Sequence, residues 1–369
     1  MKTPNLLLVV LAFGLPDAAG VRATMWQDVP TDGEGLYNIA CAGCHGPAGR
    51  GVPPDRIAFD VPVPDFTDCS FSSREPDADW ITVAMHGGPV RGFDETMPAY
   101  GEAFSEEQLQ LVMDYIRTFC ADDRWPRGEL NLPRPLVTEK AYPEDEAVTT
   151  VGIDLDGPGS IINEFVWERR IGPQSQFELK APFGFMQNPV TGSWEGGIGD
   201  LTLGVKHALF HGLESGSILS IGFEAKIPTG DEDKGFGNGT AVGEPFVAFG
   251  QILPGDAFLH AQVLMEFPFS TDVAQEELQW RGVLGRSWSQ GGYGRTWTPM
   301  IELLAETELE NVDVEWSIVP QIQITLNTRQ HVMANVGVLL PLTNASLRST
   351  RLMVYLLWDW FDGGFFDGW

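Results

Sequence analysis

The second half of this chain alternates between apolar and polar residues, and this alternation limits the possible folds more than any other feature. In SILSIGFEAKIPTG, Leu219 and Ile221 alternate with Ser220 and Gly222. Similar alternation runs through QFELKAPFGF, NVDVEWSIVPQIQITLN and HVMANVGVLLPL. Successive side chains of a β-strand point to opposite faces, so the pattern predicts strands with one apolar face.

Two architectures suit such strands: a soluble β domain and a membrane-spanning barrel. Many of the strands run for about 12 residues, and short turns such as LPGDA alternate with longer polar loops such as TGDEDKGFGNGTAVGE. Aromatic residues recur near strand ends, namely Trp280, Trp288, Trp297, Trp358 and Trp360. We therefore predict an antiparallel transmembrane β-barrel over residues 146–369. Eleven strands from Ile161 onward and one over 148–155 give twelve, with ten as the alternative.

The inward face of such a barrel would carry many charged side chains. Two interpretations remain open: a plugged interior filled with ion pairs, or an acidic path for cations. The residues concerned are Glu178, Lys180, Glu224, Lys226, Glu266, Glu302, Glu306, Asp313 and Glu315.

The first half contains the motif CAGCHG, in which Cys41, Cys44 and His45 form C-x-x-C-H. This spacing predicts covalent attachment of a c-type haem, because two thiols add to the two vinyl groups and the histidine binds the iron. A thioredoxin-like redox pair would need a βαβ context, and a zinc site would need a second pair of ligands. A structural disulfide within the motif is a further alternative.

A low-spin haem needs a second axial ligand, and Met97 is the best candidate because Pro98 stiffens its loop. His86 is the second candidate. A helix should follow at Ser105, where S-E-E-Q is a capping sequence before an amphipathic run. Met/His ligation raises the reduction potential and favours electron transfer. With neither ligand bound, the haem would be open and peroxidase-like.

The two remaining cysteines, Cys69 and Cys120, lack haem spacing, so one haem is expected. In an oxidising compartment they should form a disulfide with each other. Two buried free thiols are the alternative.

Residues from about 30 to 120 resemble a small class I c-type cytochrome, on the strength of the C-x-x-C-H motif and the later MP pair. The resemblance implies an all-α domain in which Cys41 and Cys44 make thioether links, His45 is the proximal ligand and Met97 the distal ligand. The stretches GGIGDLTLGVKHALF and FVAFGQILPGDAFL resemble outer-membrane barrels of the phenol-degradation (meta-pathway) family. The whole plan is similar to that of fused cytochrome–porins.

These features divide the chain into four parts. Residues 1–20 fit a signal peptide, with a short apolar run followed by small residues. A cytochrome c domain over 21–125, a Pro-rich linker over 126–145 and the barrel over 146–369 follow. The linker is expected to be an extended connector.

The charge of the chain limits its partners. A net charge of −28 disfavours nucleic acid and favours cations and basic proteins. We expect a protein of the outer membrane of a Gram-negative bacterium, with the cytochrome on the periplasmic side or in the barrel mouth. Expected partners are periplasmic redox proteins and outer-membrane lipid, with a metal ion or small molecule as a further ligand.

Electron transfer between periplasmic carriers and an outer-membrane or extracellular partner is the leading functional hypothesis. A transport barrel with a redox-sensing cytochrome cap is the alternative. A third hypothesis is an oxidoreductase activity, as in a metal oxidase or a haem peroxidase. A haem peroxidase would need a vacant ligand position on the iron.

Overall fold

The computed structural model describes residues 30–57, 61–310, 313–360, 364–366 and 368. The predicted signal peptide lies outside the described residues. A helical part comes first and a β-barrel follows. Within the described ranges, every helix is too short or too polar to cross a membrane.

Five α-helices build the helical part. They are α1 (Gly33–Ala40), α2 (Ala42–His45), α3 (Cys69–Ser72), α4 (Asp77–His86) and α5 (Glu106–Arg117). Helix α5 begins where the sequence predicts, because the Ser105 side chain accepts from the Gln108 backbone N–H while the Gln108 side chain accepts from the Ser105 N–H.

The helical core forms between α1 and α5. Leu36 and Tyr37 are fully buried against the apolar face of α5, whose residues Leu109 and Val112 are also buried. The helices approach closely at Gly33, where a Cβ atom would lie 2.0 Å from the carbonyl oxygen of Leu111. Only glycine therefore allows this packing.

The remaining cysteines, Cys69 and Cys120, are joined in a disulfide. The bond links the start of α3 to the segment after α5, across 51 residues of sequence. The predicted pairing of these two cysteines is thus present.

Fourteen strand segments form the second part of the chain. They are β1 (Glu146–Asp154), β2 (Ser160–Ile171), β3 (Ser175–Gln187), β4 (Trp194–Ile198), β5 (Leu201–Gly212), β6 (Ser217–Ile227), β7 (Val242–Leu253), β8 (Ala257–Pro268), β9 (Glu277–Arg286), β10 (Trp288–Ser289), β11 (Thr296–Glu308), β12 (Glu315–Thr325), β13 (Val332–Pro341) and β14 (Arg351–Asp359).

These segments form a closed antiparallel barrel of twelve strands. Segments β4 and β5 both pair with β3, and β9 and β10 both pair with β11, so each couple counts as one interrupted strand. The first and last strands close the sheet, with Val151 opposite Val354. The prediction of twelve strands is confirmed, and the ten-stranded and soluble alternatives are wrong.

The outer surface of the barrel is apolar. Along β5, Leu203 and Val205 are exposed at 39% and 55%, whereas the alternating Thr202 and Lys206 are buried inside. The same outward pattern occurs at Ile221, Phe223, Val263, Leu284, Ile301, Leu303, Val336, Val354 and Leu356. Such a belt is stable only when lipid covers it, so the barrel spans a membrane.

Residues 130–145 lie inside the barrel, a position that their sequence did not indicate, whereas Arg127 and Gly128 just before them bond to the helical part. Leu130, Ala141 and Tyr142 are almost completely buried there. We call this stretch the plug. A 3₁₀ turn at Gly128–Leu130 leads into it, and the plug itself is irregular.

Side chains of the barrel wall supply the hydrogen bonds that the irregular plug lacks internally. The Gln321 side chain accepts from the Leu136 backbone N–H at 3.0 Å, and the Gln262 side chain accepts from the Glu139 N–H at 3.1 Å. The carboxylate of Glu302 accepts from the Val137 N–H at 3.2 Å. These contacts satisfy buried backbone groups without a strand partner.

Candidate haem site

The C-x-x-C-H motif forms a single helical turn at the junction of α1 and α2. The Cys41 N–H donates to the Tyr37 carbonyl at 2.8 Å, and the His45 N–H donates to the Cys41 carbonyl at 2.9 Å. Cys41 and Cys44 are free thiols in the structure, so the alternative of a disulfide within the motif is not observed. The turn places both thiols and the imidazole on one short segment.

The imidazole of His45 is partly buried and packs against the helical core. Its ring stacks on Phe66 with ring centroids 4.8 Å apart. Its Nδ1 atom has no hydrogen-bond partner among the described residues. Burial lowers the pKa of His45 to about 4, which keeps the ring neutral, as a metal ligand must be.

The environment of Cys41 does not suit a reactive thiolate. Burial, with a smaller contribution from Cys44, raises the pKa of Cys41 to about 11. A redox-active pair and a zinc site both need an easily formed thiolate. The raised pKa of Cys41 therefore disfavours both a redox-active pair and a zinc site at this motif.

The structure brings the loop of Met97 to the same motif. The Tyr100 hydroxyl donates to the Ala40 carbonyl at 2.7 Å, directly before Cys41. Burial and the nearby Cys41 and Cys44 raise the pKa of Tyr100. Met97, three residues earlier, is partly buried. The loop thus begins at the end of α4 and returns to the start of the motif.

Backbone hydrogen bonds fix this loop against the end of α4. The Gly88 N–H donates to the Met97 carbonyl at 2.9 Å, and the Tyr100 N–H donates to the Ala84 carbonyl at 2.9 Å. The Gly101 N–H donates to the Met85 carbonyl at 3.0 Å. We call residues 87–100 the distal loop.

His86, the second candidate ligand, contacts the barrel instead. Its ring packs on that of Tyr293, in the turn between β10 and β11, with centroids 4.2 Å apart. His86 is exposed and is not part of the apolar cluster around the motif. This arrangement favours Met97 as the distal ligand.

The helical domain is docked on one end of the barrel. Arg74 forms an ion pair with Asp145, at the end of the plug, and Glu75 pairs with His331 at 2.8 Å. The guanidinium of Arg329 lies 4.5 Å from the centre of the Phe93 ring. Sequence reasoning missed these contacts, because nothing local marks residues that meet only after the barrel closes.

Most of the charges predicted for the lumen pair with one another. Lys180 lies 3.1 Å from Glu178 and 3.0 Å from Glu224. Lys226 pairs with Glu244 and lies 3.7 Å from Glu266. These contacts agree with the interpretation of a plugged, ion-paired interior.

Three residues predicted to face the lumen lie near the end of the barrel away from the helical domain, and the prediction is wrong for Asp313. Glu306 and Glu315 each bind Arg348 at 2.9 Å. Asp313 precedes β12 and is exposed, because the strand begins only at Glu315.

The end of the lumen away from the cytochrome keeps a cavity of about 340 Å³. Its lining includes Lys180, Glu224, Lys226, Glu266 and Arg281. Acidic and basic groups both line the cavity, so it is not a purely acidic cation path.

Residues 28–116 match the family described as cytochrome C oxidase, cbb3-type, subunit III. The helical part is therefore a haem-binding cytochrome domain. The closed barrel with its apolar exterior is an outer-membrane barrel. Together they make this chain a cytochrome domain fused to a twelve-stranded outer-membrane barrel.

Several solved barrels are similar to the second part. The KdgM porin is 11% identical, with a TM-score of 0.39, covering 58% of this chain and 98% of that one. An outer membrane channel from Pseudomonas putida F1 is 12% identical, with a TM-score of 0.44, covering 62% and 99%. The NanC porin is 8% identical, with a TM-score of 0.41, covering 58% and 98%. No curated protein matches the chain.

Proposed function

We propose that this chain is a haem c electron-transfer protein, anchored in the outer membrane by a plugged barrel. It passes electrons between periplasmic carriers and an outer-membrane or extracellular partner. One observation carries the proposal: His45, whose Nδ1 atom is buried and unpartnered among the described residues, follows two free thiols within one turn of a cytochrome domain.

The residues present fit a single covalent haem. Cys41 and Cys44 would hold its vinyl carbons, and His45 and Met97 would bind the iron. The haem would supply one-electron redox chemistry. The protein would exclude water with the apolar cluster around Phe66 and Trp80 and would hold both ligands in place.

The turns of the barrel support a periplasmic position for the cytochrome. The end of the barrel that contacts the helical domain carries the short turns 172–174, 213–216 and 254–256. The start of β1 and the end of β14 lie at the same end. The opposite end carries longer loops, including 228–241. In outer-membrane barrels the short turns normally face the periplasm.

The charge of the cytochrome domain supports a basic redox partner. Residues 30–125 contain no lysine and far more Asp and Glu than Arg. Asp94, Glu95 and Glu102, which are close to Met97 in the sequence, are exposed. Such a surface would accelerate association with a cationic protein and make the rate sensitive to salt.

The plug opposes the alternative of a transport barrel. It occupies the lumen and is hydrogen-bonded to the wall on several strands. Transport would require the plug to break these bonds and move away from the wall. The barrel serves better as an anchor that orients the cytochrome.

The test is haem staining of a denaturing gel after expression with c-type maturation. The wild-type chain should retain haem at its own molecular mass. The double variant Cys41→Ser/Cys44→Ser should reach the outer membrane without stainable haem. A colourless wild-type protein would disprove the proposed function. Electron exchange with a basic periplasmic cytochrome, measured by stopped flow, should slow as salt is added.

A further inference from the structure

We propose that Tyr293, in the barrel turn between β10 and β11, is a positioning residue for the distal haem ligand. It holds the distal loop so that Met97 stays on the iron. This inference rests on the proposed function, because it requires Met97 to be a ligand. It adds that the barrel itself helps to set the haem coordination.

The first contact is between aromatic rings. His86 is the last residue of α4, and its ring packs on Tyr293 with centroids 4.2 Å apart. The distal loop starts immediately afterwards, at Gly87. Tyr293 therefore contacts the domain at the point where the helix ends and the loop begins.

The second contact involves Arg91, which lies in the distal loop and is buried. One guanidinium nitrogen donates to the Tyr293 carbonyl, and Nε donates to Asp79 of α4 at 3.0 Å. Tyr293 is thus held through its ring by the end of α4 and through its carbonyl by the loop. Both contacts come from within a six-residue span, His86 to Arg91.

The turn that carries Tyr293 is held from the barrel side as well. The Gln330 side chain, in the turn between β12 and β13, donates to the Gly294 carbonyl at 2.9 Å. It also accepts from the Thr296 hydroxyl at 2.8 Å. A turn tied to its neighbour is a firmer support than an isolated hairpin tip.

The distal loop can transmit this support to Met97 because it is packed backbone against backbone. The Gly88 N–H donates to the Met97 carbonyl at 2.9 Å, and the Phe93 N–H donates to the Gly88 carbonyl at 3.0 Å. A Cβ atom on Gly88 would lie 2.2 Å from the Asp94 carbonyl oxygen. A shift at His86 or Arg91 would therefore displace the loop that carries Met97.

Mutating an outer-shell group that orients a metal ligand commonly lowers metal affinity or activity by about 10–100-fold. Removing the Tyr293 ring should weaken Met97 ligation by about tenfold, at the lower end of that range. The ferric protein would then bind added imidazole about tenfold more tightly, since imidazole competes with the methionine sulfur for the iron. The same titration should remove the far-red sulfur-to-iron absorption band at a lower imidazole concentration.

The experiment uses the full-length holoprotein in detergent, with imidazole as the competing ligand. Tyr293→Ala should show the tenfold change, and Tyr293→Phe, which keeps both the ring and the carbonyl, should titrate like the wild type. Trp288→Ala is the matched control. Its exposed side chain lies on the neighbouring segment β10 and makes no hydrogen bond or ring contact with the described residues of the helical part.

Arg91→Lys provides a second test if Tyr293→Ala fails to insert, which heat-modifiable gel migration would reveal. It should shift the titration in the same direction as Tyr293→Ala. If the wild type shows the far-red band and the inserted variants bind imidazole as the wild type does, the positioning role alone is overturned. A wild type without that band would overturn Met97 as the ligand, and this inference with it.

Discussion

Arg134 of the plug donates a hydrogen bond to Glu168 of β2 across 2.8 Å, and both side chains are almost inaccessible to solvent. Arg134 also binds Glu146, at the start of β1. The Tyr355 hydroxyl donates to the Arg134 backbone carbonyl at 2.6 Å. The plug and the wall are therefore joined by buried ion pairs. Burying one charge of such a pair without its partner would be unfavourable.

Replacing Arg134 tests this relationship. Arg134→Met leaves Glu146 and Glu168 without their shared cation, and we expect it to destabilise the plugged state by about 3–5 kcal/mol. The loosened plug should admit ions, measured as single-channel conductance in planar bilayers, where the wild type should be closed.

Arg124→Met is the control for the plug variant, because Arg124 pairs with Asp122 on the surface of the helical domain. It should leave the barrel closed. An Arg134→Met barrel that is as closed and as heat-resistant as the wild type would show that the ion pair does not hold the plug.

The pH dependence of the cytochrome domain should involve Asp77. Burial acts to raise its pKa, but the guanidinium groups of Arg117 and Arg127 outweigh burial and hold the pKa below its usual range. A depressed carboxyl pKa contributes stability that is full above the unfolded value of about 3.9 and is lost as the pH falls through the lower folded value.

Asp77→Asn should therefore lower the free energy of unfolding by about 2 kcal/mol at pH 7. The difference from the wild type should shrink below about pH 4. Unfolding by guanidinium, followed by haem absorbance at neutral and at acid pH, measures this difference in stability. An equal loss at pH 7 and in acid would show that Asp77 acts through packing and not through its charge.

The disulfide should stabilise the cytochrome domain without affecting haem attachment. Joining Cys69 to Cys120 closes a loop of 51 residues, so the double variant Cys69→Ser/Cys120→Ser should lose about 4 kcal/mol of stability. Its haem should still stain on a denaturing gel. Reduction of the wild type should reproduce the loss. If the variant lost covalent haem instead, the disulfide would be required for maturation.

The distal ligand can be tested directly. Met97→Ala should abolish the far-red sulfur-to-iron band and lower the reduction potential by roughly 0.1–0.3 V, part of the ~0.8 V range that axial ligands set. Covalent haem should remain. Met113→Ala, which truncates a buried methionine of α5, should keep the band. Loss of the band in Met113→Ala but not in Met97→Ala would refute the assignment.

The sequence alone determined the features that depend on near neighbours. The alternation around Leu219 and in similar stretches predicted strands, and the number of such stretches predicted a barrel of twelve strands. Ser105 and Gln108 predicted the start of α5. These features follow from the local geometry of helices and strands, which a few consecutive residues specify.

Only the tertiary structure decided where the plug lies and what holds the distal loop. Prolines and charges in residues 126–145 are typical of a solvated connector, yet Arg134 and Lys140 are buried because the closed barrel supplies carboxylates from β1 and β2. In the same way His86 meets Tyr293 only after the barrel has closed and the helical domain has docked. Long-range pairing of charges and rings depends on how the chain closes, and no local pattern records it.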